Sequence, residues 1–170
     1  FAMIGLGGML IVSQIDYHRL VHFAWVLYAI GIVSPVLILA VGADEYGSTR
    51  WFNVGPIQVQ PSEFAKLATI LALARFLSER GGNARELKTL MISLAMVIPV
   101  AALVFIEPDL GTSIVFLAIW VGVVTVAGVQ RSHLLVLIAV GIAVLPFAWT
   151  FAIADYQVSR VAVLIDPNAD

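Results

Sequence analysis

Apolar residues run in long stretches along this chain, and charged residues gather in the short gaps between them. A hydrocarbon layer about 30 Å thick takes roughly 20 predominantly apolar residues in helical form. Runs approaching that length lie at 21–42, 62–78, 89–106, 111–128 and 133–153, with a shorter one at 1–13. Pro35 and Pro99 fall inside two of them, and a kink is expected at Pro35. Amides in lipid must be bonded within their own segment, so runs of this kind are expected to be helices and not isolated strands. The expected fold class is therefore all-α: a polytopic integral membrane helical bundle, with about five full spans and one truncated span. Small residues offer packing faces, Gly5, Gly7 and Gly8 on one helix and Gly122 with Gly128 on another.

Composition agrees with the pattern. The chain is 61% hydrophobic and 12% charged, with a mean hydropathy of +1.02, whereas soluble domains average about a quarter charged residues. A net charge of −2 without a basic cluster excludes a nucleic-acid surface. Cysteine is absent, which removes disulfides, thiolate catalysis and Cys-ligated metals. The first run opens without an initiator Met or basic leader, and the last residues are polar. Residues 1–170 thus read as one transmembrane domain taken from a longer polypeptide.

Orientation follows from the basic residues. One set of gaps holds Arg19, then Arg75, Arg80, Arg85 and Lys88, then Arg131, while the opposite set holds Arg50 and Arg160. The richer set is expected in the cytoplasm. Segments 43–61, 107–110 and 154–170 then face outward, the first as an interfacial loop and the last as the start of a large outer loop.

The candidate chemistry lies on that outer side. In the loop, Trp51, Phe52, Ile57 and Val59 alternate with Arg50, Asn53 and Gln58. This suits either a simple aromatic anchor or an element touching membrane lipids or a lipid-linked ligand. Glu63 and Lys66, three apart on a predicted helix, share a face and can pair. A Lys within a span is costly unless it pairs, snorkels or faces a polar cavity. The pair reads as a salt bridge locking the helix to its neighbours or as a binder of an anionic group. Gln60 or Ser62 is placed to cap that helix, with Glu63 in its first turn. Asp109 is expected to cap the next-but-one helix through the amides of residues 111 and 112. Alternatively Glu107 or Asp109 presents a carboxylate to a cavity as a base or as a ligand for a divalent cation. Arg160 suits either a phosphate clamp or an interfacial anchor. His18, His22 and His133 lack metal-ligand spacing, so no metal site is assigned. Nucleotide-binding, triad and zincin motifs are likewise missing.

Four strings carry a resemblance: Arg50-Trp51-Phe52-Asn53-Val54-Gly55; Gln60-Pro61-Ser62-Glu63-Phe64-Ala65-Lys66; Pro108-Asp109-Leu110-Gly111-Thr112-Ser113; and Asp155-Tyr156-Gln157 through Arg160 to Asp166-Pro167. In this order they resemble the signatures of the SEDS family, the RodA/FtsW peptidoglycan glycosyltransferases, and the Asp155-Tyr156-Gln157 stretch leans toward RodA. The resemblance implies an inverting membrane enzyme of roughly ten helices that polymerises lipid II at the outer face of the bacterial plasma membrane, beside a class B penicillin-binding protein. It carries Arg50, Glu63, Lys66, Asp109 and Arg160 over as supporting residues of the substrate cavity. It also puts the general base, an Asp, beyond Asp170. Glu107 departs from the family pattern, where Gln is commoner. No cofactor is assigned with certainty, and a divalent cation is the one candidate.

A flippase for the same lipid-linked precursor is the main rival, and a non-catalytic scaffold for a cell-wall synthase is another. A flippase needs polar groups through the membrane depth, yet the runs at 89–106, 111–128 and 133–153 carry almost no charge.

Overall fold

The computed structural model describes residues 6–7, 9–10, 13–14, 16–41, 52–54, 57–107 and 109–152. Six helices and one hairpin are named among them. Helix α1 (Tyr17–His22) is a short turn capped by Asp16, whose carboxylate accepts from the His18 amide at 2.9 Å. That backbone donor, with the His18 ring at 2.8 Å, holds the Asp16 carboxyl below its usual value. Helix α2 (Ala24–Val41) follows at once and contains Pro35. A two-stranded antiparallel hairpin comes next, β1 (Phe52–Val54) and β2 (Ile57–Val59), with Phe52 opposite Val59, Asn53 opposite Gln58 and Val54 opposite Ile57. Within the expected loop at 43–61, residues 52–54 and 57–59 therefore pair locally as strands.

Helix α3 (Pro61–Arg80), a 3-10 turn at Gly81–Arg85, α4 (Leu87–Ile106) and α5 (Leu110–Val126) complete the first of two compact units, residues 1–129. The second, residues 130–170, contains α6 (Arg131–Ala152). The five long helices have 17 to 22 residues, or about 26 to 33 Å at 1.5 Å per residue. That matches a hydrocarbon core. Among the described residues, Leu87–Ile106 alone is long and apolar enough to cross by itself, with shorter apolar stretches at Ala24–Ile38, Leu110–Val126 and Arg131–Gly141. The predicted span at 62–78 is a full helix, but Glu63, Lys66, Arg75, Glu79 and Arg80 at its ends confine its apolar run to residues 67–74.

Within the first unit the core is made of small and medium side chains. Ala65, Ala68, Thr69, Ala72, Leu73 and Phe76 form the buried stripe of α3 at three- and four-residue spacing. Gly31 of α2 sits directly on that stripe, where an added Cβ would lie 3.2 Å from Ala68 Cβ and 3.3 Å from Ala65 Cα. The close helix contact is therefore at Gly31. Gly122, expected to be a packing point, has nothing among the described residues within 4 Å of an added Cβ, and Gly128 instead makes the turn after α5 at φ 77°. Gly7 likewise meets nothing within 4 Å among the described residues, while Gly5 and Gly8 lie outside them. Large apolar side chains stand on the exterior, including Val26, Ile30, Val33 and Leu37 of α2, Ile98 of α4 and Ile114 of α5. A surface this apolar is the arrangement of a membrane bundle.

Buried polar groups tie the helices together. Trp120 Nε1 of α5 donates to Ser93 Oγ of α4 at 2.9 Å, and Ser93 donates onward to the Leu90 carbonyl at 2.7 Å. Tyr28 of α2 donates its hydroxyl to the Met96 carbonyl of α4. Arg75, counted above among the basic residues of the cytoplasmic gaps, is engaged at the basic end. It donates to the Val21 and His22 carbonyls at 3.0 and 2.6 Å and to Glu79 at 2.8 Å, closing the C-terminus of α1.

Candidate functional site

At the other end of the first unit, three helix termini meet: the starts of α3 and α5 and the end of α4. Pro61 occupies the first turn of α3, where its fixed φ favours the helix and its missing amide costs nothing. Gln60 precedes it in extended conformation and makes no side-chain cap. Its amide is released to reach across, and Gln60 Nε2 donates to Asp109 Oδ2 at 3.2 Å. Asp109 caps α5 as expected, Oδ1 accepting from the Thr112 amide at 3.1 Å and Oδ2 from the Thr112 hydroxyl at 2.8 Å. Both carboxylate oxygens thus hold helix starts in place. Residues 49 apart in sequence are joined by one bond.

Glu63 and Lys66 do pair, with Lys66 Nζ 2.8 Å from Glu63 Oε1. Both lie on α3, so the bridge does not lock that helix to a neighbour; Gln60–Asp109 is a tie to a neighbouring helix at this end. Lys66 is 21% exposed and Glu63 61%. The two line a cavity of about 730 Å³ together with Val59, Gln60, Phe64, Leu67, Ile70 and Ile119. A partly buried ammonium at the rim of an apolar cleft is suited to an anionic group attached to an apolar body.

Glu107 sits at the C-cap of α4 and is only 1% exposed. Of the two carboxylates proposed for a cavity, it is packed inside and Asp109 is engaged in capping. Among the described residues no three His, Asp or Glu side chains converge as a metal would require. Ser62, beside Gln60, is 1% exposed, and its Oγ has no hydrogen-bond partner among the described residues. Arg50 and Arg160 lie outside the described residues. Gln60 was undervalued in the sequence: a polar residue before a helix-starting proline looks like a cap. Its long-range partner has no local signature.

The comparisons with known proteins agree among themselves. A family profile described as cell cycle protein and spanning FtsW, RodA and SpoVE matches residues 1–170. The peptidoglycan glycosyltransferase MrdB of Escherichia coli K12 is 36% identical over 166 residues, covering 98% of this chain and 45% of that protein. A chain solved in a peptidoglycan synthase complex that coordinates polymerization and crosslinking superposes with a TM-score of 0.77 at 31% identity, over 98% of this chain and 50% of that one. The rod shape determining protein RodA of Thermus thermophilus, a crystal structure, gives 0.66 at 35% identity, over 82% and 47%. The chain spans about half the length of the relatives it matches.

Proposed function

The chain belongs to the FtsW, RodA and SpoVE family of cell cycle proteins, and from that premise we propose that its full-length parent is a peptidoglycan glycosyltransferase that polymerises lipid II at the outer face of the bacterial plasma membrane. A class B penicillin-binding protein is the proposed partner, in keeping with the synthase complex whose chain this one resembles. The observation that carries the reading is the Gln60–Asp109 bond, which brings the Gln60-to-Lys66 string and the Asp109-to-Ser113 part of the third string to one end of the bundle.

In the proposed reaction a sugar hydroxyl attacks the anomeric carbon of a second lipid-linked chain and an undecaprenyl pyrophosphate leaves. Two demands follow: a carboxylate to take the hydroxyl proton, and positive charge to stabilise the departing pyrophosphate. Lys66 meets the second, held at the cavity rim by Glu63. Asp109 acts as a positioning residue because both its oxygens are occupied by Thr112 and Gln60. We assign the base to an Asp beyond Asp170, as the motif resemblance implies. Arg50 and Arg160 join the proposal as further cations on the strength of the motifs. A divalent cation, if used, would meet the pyrophosphate.

The test is gel analysis of labelled glycan made from lipid II by the full-length parent with its partner. Wild type should give polymer, and Lys66→Ala should lower its yield by about a hundredfold, the scale of losing one preorganised charge at a developing anion. Absence of polymer from wild type would defeat the reading.

A further inference from the structure

Helices α2 and α4 each carry a proline in the half away from the basic end, Pro35 and Pro99. A proline gives no amide to the carbonyl four residues before it, so Gly31 and Ala95 each lose a helical donor. In lipid such a gap is tolerated where a nearby hydroxyl or a neighbouring helix fills it. The two helices fill theirs differently. In α2, Ser34 Oγ donates to the Gly31 carbonyl itself at 3.3 Å, and Gly31 is seated on Ala65 and Ala68 of α3. In α4 the hydroxyl comes from another helix: Tyr28 of α2 donates to the carbonyl of Met96, within the interrupted turn. The buried hydroxyl of α4 itself, Ser93, is engaged nearer the basic end, with Leu90 and Trp120. The break in α4 is thus held from outside.

Beyond Pro99, α4 is bound to the candidate site. Ser113 Oγ of α5 donates to the Ala101 carbonyl at 3.1 Å, the Asp109 amide donates to the Val104 carbonyl at 3.3 Å, and Asp109 accepts from Gln60. Residues 99–107 therefore form an arm that pivots at Pro99 and ends at the Asp109 junction. The arm is about 12 Å long at 1.5 Å per residue, so a change of kink of about 20° would carry its end about 4 Å. That exceeds the 3.2 Å of the Gln60–Asp109 bond. We propose that the Tyr28 hydroxyl is a latch on this hinge. Bonded to Met96, it fixes the kink of α4 and with it the Gln60–Asp109 junction; released, it frees the arm to swing about Pro99. Tyr28 is a positioning residue that acts through α4, and the latch stands on the fold whether or not the parent polymerises lipid II.

Tyr28→Phe removes the hydroxyl and keeps the ring, which also meets Trp25 edge-on. Spin labels on a cysteine-free full-length parent read the arm by electron paramagnetic resonance distances. One pair sits at Ile106 and Leu67, beyond the hinge, and a second at Met91 and Ser78, before it, all four exposed. In Tyr28→Phe the outer distance distribution should broaden about twofold while the inner one stays as in wild type, the signature of a hinge. Ser93→Ala, which removes another buried tie of α4 on the near side of Pro99, should leave the outer pair unchanged. Pro99→Ala returns the missing amide, so Tyr28→Phe added to it should broaden neither pair.

Equal broadening of both pairs would mean general loosening and would overturn the latch. So would an outer pair that Tyr28→Phe leaves untouched, that Ser93→Ala broadens as much, or that broadens undiminished in the Pro99→Ala background. Glycan yield is a separate readout: activity lost in Tyr28→Phe with an unchanged outer pair would place Tyr28 in the site itself and defeat the latch. If wild type makes no polymer yet the outer pair responds as described, the glycosyltransferase reading fails and the latch stands.

Discussion

Asp109 shows how one side chain can serve a site without doing its chemistry. Its oxygens accept from the Thr112 amide, the Thr112 hydroxyl and Gln60 Nε2, so it fixes the start of α5 against the start of α3. Losing a cap costs about 1 kcal/mol, and a side-chain bond to a charged group adds roughly 1.5. Asp109→Ala should therefore lower the unfolding free energy of the full-length protein by about 2.5 kcal/mol, while Asp109→Asn, which keeps an acceptor for Thr112, should lose about half as much. Denaturation in mixed micelles would measure both. If Asp109→Asn abolished glycan synthesis with stability untouched, the carboxylate would belong to the chemistry and the positioning role would be wrong. Lys66 differs in kind: it is paired within its own helix and faces a cavity, so its removal should affect turnover more than folding.

At the scale of elements, the helices pack through small residues and sparse hydrogen bonds. Apolar burial gives little drive between helices in lipid, so close approach and polar ties decide which faces meet. Gly31 against Ala65 and Ala68 is the tightest such approach among the described glycines. A side chain there would push on the α3 backbone, which cannot swing aside. Gly31→Val should destabilise the protein by about 1–3 kcal/mol, the usual cost of overpacking. Gly122→Ala, with open space around it, should be neutral or gain up to about 1 kcal/mol from helix propensity. Thermal melts of the two variants side by side would check the contrast, and a neutral Gly31→Val would mean the α2–α3 contact is looser than its distances imply.

The first unit as a whole is polarised along its length. Arg75 with the end of α1 marks one extremity, and the Gln60–Asp109 junction with the Glu63–Lys66 pair marks the other. The basic extremity is the expected cytoplasmic one. Because this chain contains no cysteine, single cysteines placed in a cysteine-free parent report topology without background. Val59→Cys should react with a membrane-impermeant maleimide in intact cells, and Lys88→Cys should react only after permeabilisation. The reverse pattern would put the Lys66 rim in the cytosol and exclude glycan assembly there outside the cell.

Much of this was legible from residue order. Hydropathy and length mark helices because each amide in lipid must bond within its own segment, so α2 to α6 lie close to the runs read from the chain. The Asp109 cap and the Glu63–Lys66 pair were also readable, being contacts three residues apart. The hairpin at 52–59, the Gly31 contact and the Gln60–Asp109 bond were not. Helices that are apolar all round carry no stripe to say which face turns inward, and a bond across 49 residues leaves no periodic trace. Tertiary packing alone chose those partners, and with them the cleft between α3 and α5.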